Sequence, residues 1–390
     1  MRTPLPAGVW VLGFVSLLAD VASEMVHSLL PLFLVGTLGV SMLAVGVIEG
    51  IAEATALIVK VFSGALSDRL GRRKGLAVAG YALGALTKPA FALATGAGMV
   101  IAARFVDRIG KGIRGAPRDA LLADITPSGL RGAAFGLRQS LDTVGAVLGP
   151  LIATALMLAW ANDIRAVFWV AVVPGLMAAA LLWLGVREPP RPPTPASEAT
   201  TGPSIHRAAL ARLGTGYWQI VGLGAVFTLA RFSEAFLVLR APQVGVAIAW
   251  VPLVMVAMNV VYAASAYPFG RLADTMSRRA LLAGSLVLLI AADLVLAVAA
   301  GPGGLFIGVA LWGVHMGLSQ GILAAMVADS APAELRGTAF GVFNLCAGVS
   351  MLAASVIAGW LWQSAGSAAT FHAGAAFAGA ALVWLLLARR

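Results

Sequence analysis

Twelve apolar runs, most of about 20 residues or more, alternate with short polar connectors along this chain. In windows of about 19 residues they cover 8–35, 41–66, 75–95, 97–116, 132–159, 164–186, 215–240, 246–270, 279–300, 304–328, 337–362 and 366–388. As helices rising 1.5 Å per residue, runs of this length cross a hydrocarbon core of about 30 Å. Gly and Ala recur within several runs, as expected where helices pack closely in lipid. The pattern predicts an all-α integral membrane protein. One connector stands apart: "REPPRPPTPASEATTGPS", from Arg187, is long, polar and Pro-rich, and reads as a flexible linker. It divides the chain into an N-terminal six-helix bundle (1–186), a cytoplasmic linker (187–214) and a C-terminal six-helix bundle (215–390).

Composition agrees with a bilayer as solvent. Of the 390 residues, 60% are hydrophobic and 11% charged, against about 45–50% and 25% in soluble domains. The net charge of +10 does not point to nucleic acid, because the basic residues gather in connectors. Those after spans 2, 4, 6, 8 and 10 hold Arg69, Arg72, Arg73, Lys74, Arg114, Arg118, Arg131, Arg187, Arg278, Arg279 and Arg336, among others. The opposite connectors hold little beyond Arg165 and Arg240. The positive-inside rule therefore places both termini in the cytoplasm. The single cysteine, Cys346, rules out an internal disulfide and reads as a small packing residue.

The two halves repeat. "GALSDRLGRR" (Gly64 to Arg73) returns as "GRLADTMSRR" (Gly270 to Arg279), 206 residues on. "LLADITPSGLRGAAFG" (Leu121 to Gly136) returns as "MVADSAPAELRGTAFG", 205 residues on. "LADVASE", ending at Glu24, has a weaker echo in "LARFSE", ending at Glu234. Parallel repeats of six spans imply two bundles related by an axis along the membrane normal, with the solute path between them.

On these motifs the whole chain resembles the major facilitator superfamily of secondary transporters, and its drug–proton antiporters in particular. "GALSDRLGRRKGL" resembles the family's signature between helices 2 and 3. The resemblance implies close packing at Gly64 and a cytoplasmic charge network of Asp68, Arg69 and Arg72 that latches one orientation. The repeated segments add Asp124, Arg131, Gly270 and Asp274 to that set. "RFVDRIGKGIRG" resembles the family's helix 4 pattern, with Arg104 as the intramembrane arginine. "GAVLGP" resembles the helix 5 motif of exporters that exchange solute for protons, which marks Gly145, Gly149 and Pro150. "LLPLF", around Pro31, resembles the first helix of drug–proton antiporters.

Charges inside the spans narrow the chemistry. An ionised side chain at mid-bilayer costs roughly 2.5–3.5 kcal/mol on insertion scales, so such groups face the bundle interior, pair, or change protonation state. The N-half carries Asp20, Glu24, Glu49, Glu53, Asp107 and Asp142, with Arg104, Arg108, Arg138, Lys60 and Lys88. The C-half offers only Arg231, Glu234, Asp293 and His315. Asp20 and Glu24 are one helical turn apart and share a face. Apolar walls favour a neutral carboxyl and a neighbouring arginine favours an ionised one. Either acid beside Arg104 would thus load and release a proton as the site moves between wet and dry states. Glu49, Glu53, Arg138, Asp142 and Glu234 complete the candidate coupling and substrate set. Arg108, Lys60 and Lys88 are expected to serve packing, their long chains snorkelling from helix ends.

The leading expectation is a proton-coupled exporter of small organic molecules or drugs, working as a monomer by alternating access in the cytoplasmic (inner) membrane. It needs no cofactor and binds no nucleic acid. Two rivals stay open. Asp20, Glu24 and His27 form an oxygen-and-imidazole set for a divalent transition metal, and Arg104, Arg108 and Arg138 would draw organic anions. The chain has no G-x-x-x-x-G-K-[ST] loop and no H-E-x-x-H motif, so neither an ATP-driven pump nor a zinc hydrolase is expected.

Overall fold

The computed structural model describes residues 4–70, 72–189, 210, 212–272, 276–319, 321–332 and 335–387. Most of the 187–214 linker lies outside them. Helices carry the chain throughout, and no strand occurs among the described residues. In order they are α1 (Ala7–His27), α2 (Leu30–Leu32, running into a π-turn at Phe33–Thr37), α3 (Met42–Leu70), α4 (Arg73–Leu93), α5 (Ala97–Asp124), α6 (Arg131–Ala159) and α7 (Ile164–Gly185). After the linker come α8 (Thr215–Leu229), α9 (Ala235–Gln243), α10 (Leu253–Leu272), α11 (Arg278–Val298), α12 (Pro302–Ser319), α13 (Ile322–Ser330), α14 (Arg336–Ala365) and α15 (Ser367–Leu387).

Among the described residues, ten helical stretches are long and apolar enough to cross a membrane. The two other predicted spans fall short for different physical reasons. α5 is long enough but carries Arg104, Asp107, Arg108, Lys111, Arg114, Arg118, Asp119 and Asp124. The 215–240 span is one apolar run in sequence, but the chain leaves the helix between Leu229 and Ala235, giving two shorter pieces. α5 also continues to Asp124, past the predicted end at 116, so Arg118 stands on the helix rather than in a connector, as does Arg114 within the predicted span.

By contacts the chain forms two compact units. The first holds residues 1–30 and 55–203; the second holds 31–54 and 204–390. α3 is shared, its first half packing with the second unit. Gly46 allows this, since any side chain there would strike the Ser355 carbonyl, and a Cβ on Gly359 would stand 2.5 Å from the Met42 carbonyl oxygen. In the first unit α4 packs on α5 and α7, and α1 on α6 and α7. In the second, α11 packs on α12 and α15, and α8 on α14 and α15. These are the same four pairings at equivalent positions of the two repeats.

Each unit has its own apolar interior. Val9, Leu12, Val15, Ala77, Tyr81 and Leu182 are central to the first. Tyr217, Val221, Val327 and Ala339 form one core of the second. A second core there is aromatic, with Phe232 5.4 Å from Trp312 and 5.7 Å from Phe371 between ring centroids.

Candidate functional site

Asp20 and Glu24 stand where α1 meets α6. A Cβ on Gly145 would lie 2.6 Å from the Leu17 carbonyl oxygen and 3.0 Å from Asp20 Cβ. One on Gly149 would lie 2.9 Å from both Glu24 Cβ and the Val21 carbonyl oxygen. The helix 5 glycines thus bring the α6 backbone directly against the acidic turn of α1. Spacing of four puts both on one face of α6, and Pro150 follows at the point of contact.

The charges around this contact come from three helices, α1, α5 and α6. Arg114 of α5 reaches Asp20 at 3.9 Å and lies over the Tyr81 ring of α4, 4.5 Å from its centroid. Arg138 of α6 pairs with Asp142 at 2.9 Å and approaches Asp119 of α5 at 3.7 Å. Asp119 also holds Arg118 at 3.0 Å. Glu24 has His27 on its own helix at 3.5 Å.

Arg104 was the expected partner of the helix 1 acids, yet Arg114 is the cation that stands against Asp20. Arg104 is 2% exposed and within electrostatic reach of Asp107. Asp107 holds Lys88 at 2.9 Å and Arg108 at 3.4 Å. This second group is buried between α4 and α5, so Lys88 and Arg108 do not snorkel as predicted. Lys60 is exposed. The α4–α5 crossing is tight for a local reason: a Cβ on Gly80 would lie 2.7 Å from the Gly110 carbonyl oxygen, and one on Gly110 2.8 Å from that of Gly80.

The metal alternative does not find its geometry. No group of three or more His, Cys, Asp and Glu gathers for a metal among the described residues. Asp20 and His27 share a helix face but stand seven residues apart, about 10 Å along the axis. That is too far for one ion, although Glu24 and His27 are neighbours. Glu49 and Glu53 lie in the part of α3 that belongs to the second unit. Glu49 is fully buried and accepts a hydrogen bond from Ser233 Oγ at 3.4 Å. Glu53 is half-buried one turn on. Glu234 stands at the start of α9, in the interruption of the seventh span.

Gly64 on α3 faces Ala116 of α5, where a Cβ would meet Ala116 Cβ at 3.4 Å. The side chains of Asp68 and Arg69, and all of Asp274, lie outside the described residues. Arg72 and Arg131 are exposed, as is Gly270. Asp124 accepts from Arg73 at 2.7 Å, and the same guanidinium reaches the Ala120 carbonyl at 2.9 Å. In the second unit Arg278 pairs with Asp329 and donates to the Ala325 carbonyl at 3.3 Å. All three positions recur 205 residues on, so each repeat carries the same clasp. The sequence offers Asp124 as a latch residue and Arg73 as a topology and latch residue without pairing them, and it does not mark Asp329.

Two further features escaped the sequence reading. Arg114 was counted as an orientation signal; its position four residues after Gly110, in a helix with a charge at nearly every turn, was the available clue. The sequence shows Asp293 as an acid within a span but not what surrounds it. It is fully buried, with no hydrogen bond at either carboxyl oxygen, and a Cβ on Gly374 would stand 2.5 Å from its Oδ2.

Comparison with known proteins bears on the whole chain. The Major Facilitator Superfamily model matches residues 12–254 and 241–390. An uncharacterised MFS-type transporter of Methanocaldococcus jannaschii is 30% identical over 365 residues, covering 92% of this chain and 89% of that protein. The multidrug resistance protein MdtH of Photorhabdus laumondii is 31% identical over 176 residues, 45% of this chain and 42% of its own. Among solved structures, a peptide transporter POT in complex with sulfate superposes with a TM-score of 0.80 at 16% identity, over 98% of this chain and 93% of that one. The repeated bundles, the paired clasps and these matches together make the chain a multi-pass membrane transporter, and it belongs to the Major Facilitator Superfamily.

Proposed function

We propose that this transporter is a proton-coupled exporter of small organic molecules, working by alternating access in the cytoplasmic membrane as a monomer. The observation that carries the reading is the seat of Asp20 and Glu24 on Gly145 and Gly149. Two carboxyl groups one turn apart, at a contact between helix backbones, respond together to any change in that contact. With this contact closed the Asp20 and Glu24 side chains are still 28% and 20% exposed, so a shift of α1 against α6 changes how much water reaches them. Arg114 beside Asp20, and the Arg138–Asp142 pair next to it, give the ionised form its compensation. Loading of a proton here in one orientation and its release in the other would couple an inward proton flux to an outward solute flux. The partial similarity to MdtH supports drug-like solutes and outward transport.

The test is a panel of organic solutes in proteoliposomes with an imposed pH gradient and no ATP. Solute movement should follow the gradient and vanish with a protonophore. Gradient-independent transport, or accumulation rather than extrusion by intact cells, would contradict the proposal.

A further inference from the structure

Two membrane helices of the second unit are interrupted beside the same cavity. The chain leaves the helix between Leu229 of α8 and Ala235 of α9. α12 ends at Ser319, and α13 starts afresh at Ile322 after Gly321, whose φ of 70° is a left-handed conformation that a side chain would resist. Non-helical backbone at membrane depth persists only where protein or a water-filled cavity satisfies its polar groups. Here Ser233 N donates to Ser355 Oγ at 3.3 Å and Ala235 N to Ser233 Oγ at 3.2 Å. Between the breaks lies a cavity of about 270 Å³, lined by residues from both.

Part of the cavity lining is cationic and polar. Arg231, in the first break, lines it together with Thr228 and Ser319, whose hydroxyls donate to the Gly224 and Met316 carbonyls. Its guanidinium lies 6.0 Å from the Phe227 ring centroid, and its Nε makes no hydrogen bond. Glu234 and Tyr262 are the groups that act on it electrostatically. Leu323 and Ala324 contribute from the first turn of α13, where backbone N–H groups have no intrahelical acceptor and favour an anion. Phe343, Met316 and Met351 supply apolar lining.

We propose that this cavity is a subsite for organic anions. A carboxylate-like head sits on Arg231, whose planar fork suits two parallel N–H···O bonds, and an apolar body lies on Phe343 and the two methionines. Methionine side chains repack easily, so the site selects a class, an anionic head on a bicyclic or similar apolar body, rather than one compound. The inference rests on the reading of this chain as a carrier of small organic molecules, and it names their charge.

The probes are 2-naphthoate and its neutral isostere 2-naphthamide, titrated calorimetrically into the full-length protein in lipid nanodiscs without a gradient. Naphthoate should bind, and naphthamide should bind at least about tenfold more weakly, the order expected for charge-assisted hydrogen bonds. Arg231→Gln should erase the preference. If that variant does not fold, Met351→Trp decides, because Met351 lines the cavity and the indole fills it: lost naphthoate binding supports the subsite and retained binding overturns it. Absent naphthoate binding, equal binding of the two probes, or undiminished preference in Arg231→Gln would each overturn it. Arg231-dependent binding without any pH-driven transport would instead refute the proton-coupled reading and leave the subsite standing.

Discussion

Lys88 and Asp107 show what a single charge does inside this protein. Their side chains are 3% and 6% exposed and 2.9 Å apart. Removing one partner strands the other away from water, at a cost of about 3–5 kcal/mol, whereas replacing both with apolar groups is often neutral or better. Asp107→Asn, which strands Lys88 and Arg108 together, should lower the melting temperature in detergent more than Lys88→Ala, which leaves Asp107 with Arg108 at 3.4 Å, and Lys88→Met with Asp107→Leu should recover part of the Asp107→Asn loss. Equal losses in the singles and a larger one in the double would show that the two do not act as a pair. Lys88 also marks a limit of sequence reading. Its position near a helix end suggested snorkelling, and only the Gly80–Gly110 crossing, which closes α4 on α5, turns it inward.

Glycine governs the element scale. Gly149 has no room for a Cβ against α1, while Gly136 on the same α6 has nothing within 4 Å. Gly149→Ala should lose stability by the roughly 1–3 kcal/mol typical of overpacking. Gly136→Ala should gain about 0.5–1 kcal/mol from helix propensity. Thermal unfolding of the two variants side by side checks this, and similar shifts would mean that the α1–α6 contact is loose. The motif "GAVLGP" made a close approach legible, but not that its partner is the acidic turn of α1. That is a tertiary fact, and no local pattern encodes it. The break in the seventh span was hidden for a related reason: "LARFSE" contains no Pro or Gly, and the hydrogen bonds that replace the helix come from Ser233 itself and from Ser355, 122 residues away.

At the scale of the whole molecule the duplication was plain, because two motifs recur at nearly one spacing. Its structural meaning was only half visible. Alignment of "DRLGRR" with "DTMSRR" sets Arg73 against Arg279, whereas the clasps match Arg73 with Arg278 and Asp124 with Asp329. If these pairs serve the same mechanical purpose in their two units, Asp124→Asn and Asp329→Asn should slow transport to a similar degree, with solute affinity changed no more than a few-fold. Single-turnover and equilibrium binding measurements separate the two effects. A loss confined to one variant would make the repeated geometry an inheritance without a shared role.

The central claim is that the acids of α1 carry the coupled proton. Its most direct test is Glu24→Gln in proteoliposomes, with pH-driven transport and solute counterflow measured in the same vesicles. The amide stands in for the protonated acid and cannot release a proton. The account predicts that pH-driven accumulation is lost while downhill exchange continues near the wild-type rate. Full pH-driven transport by both Glu24→Gln and Asp20→Asn would contradict it, and would make the acidic turn on Gly145 and Gly149 a packing device.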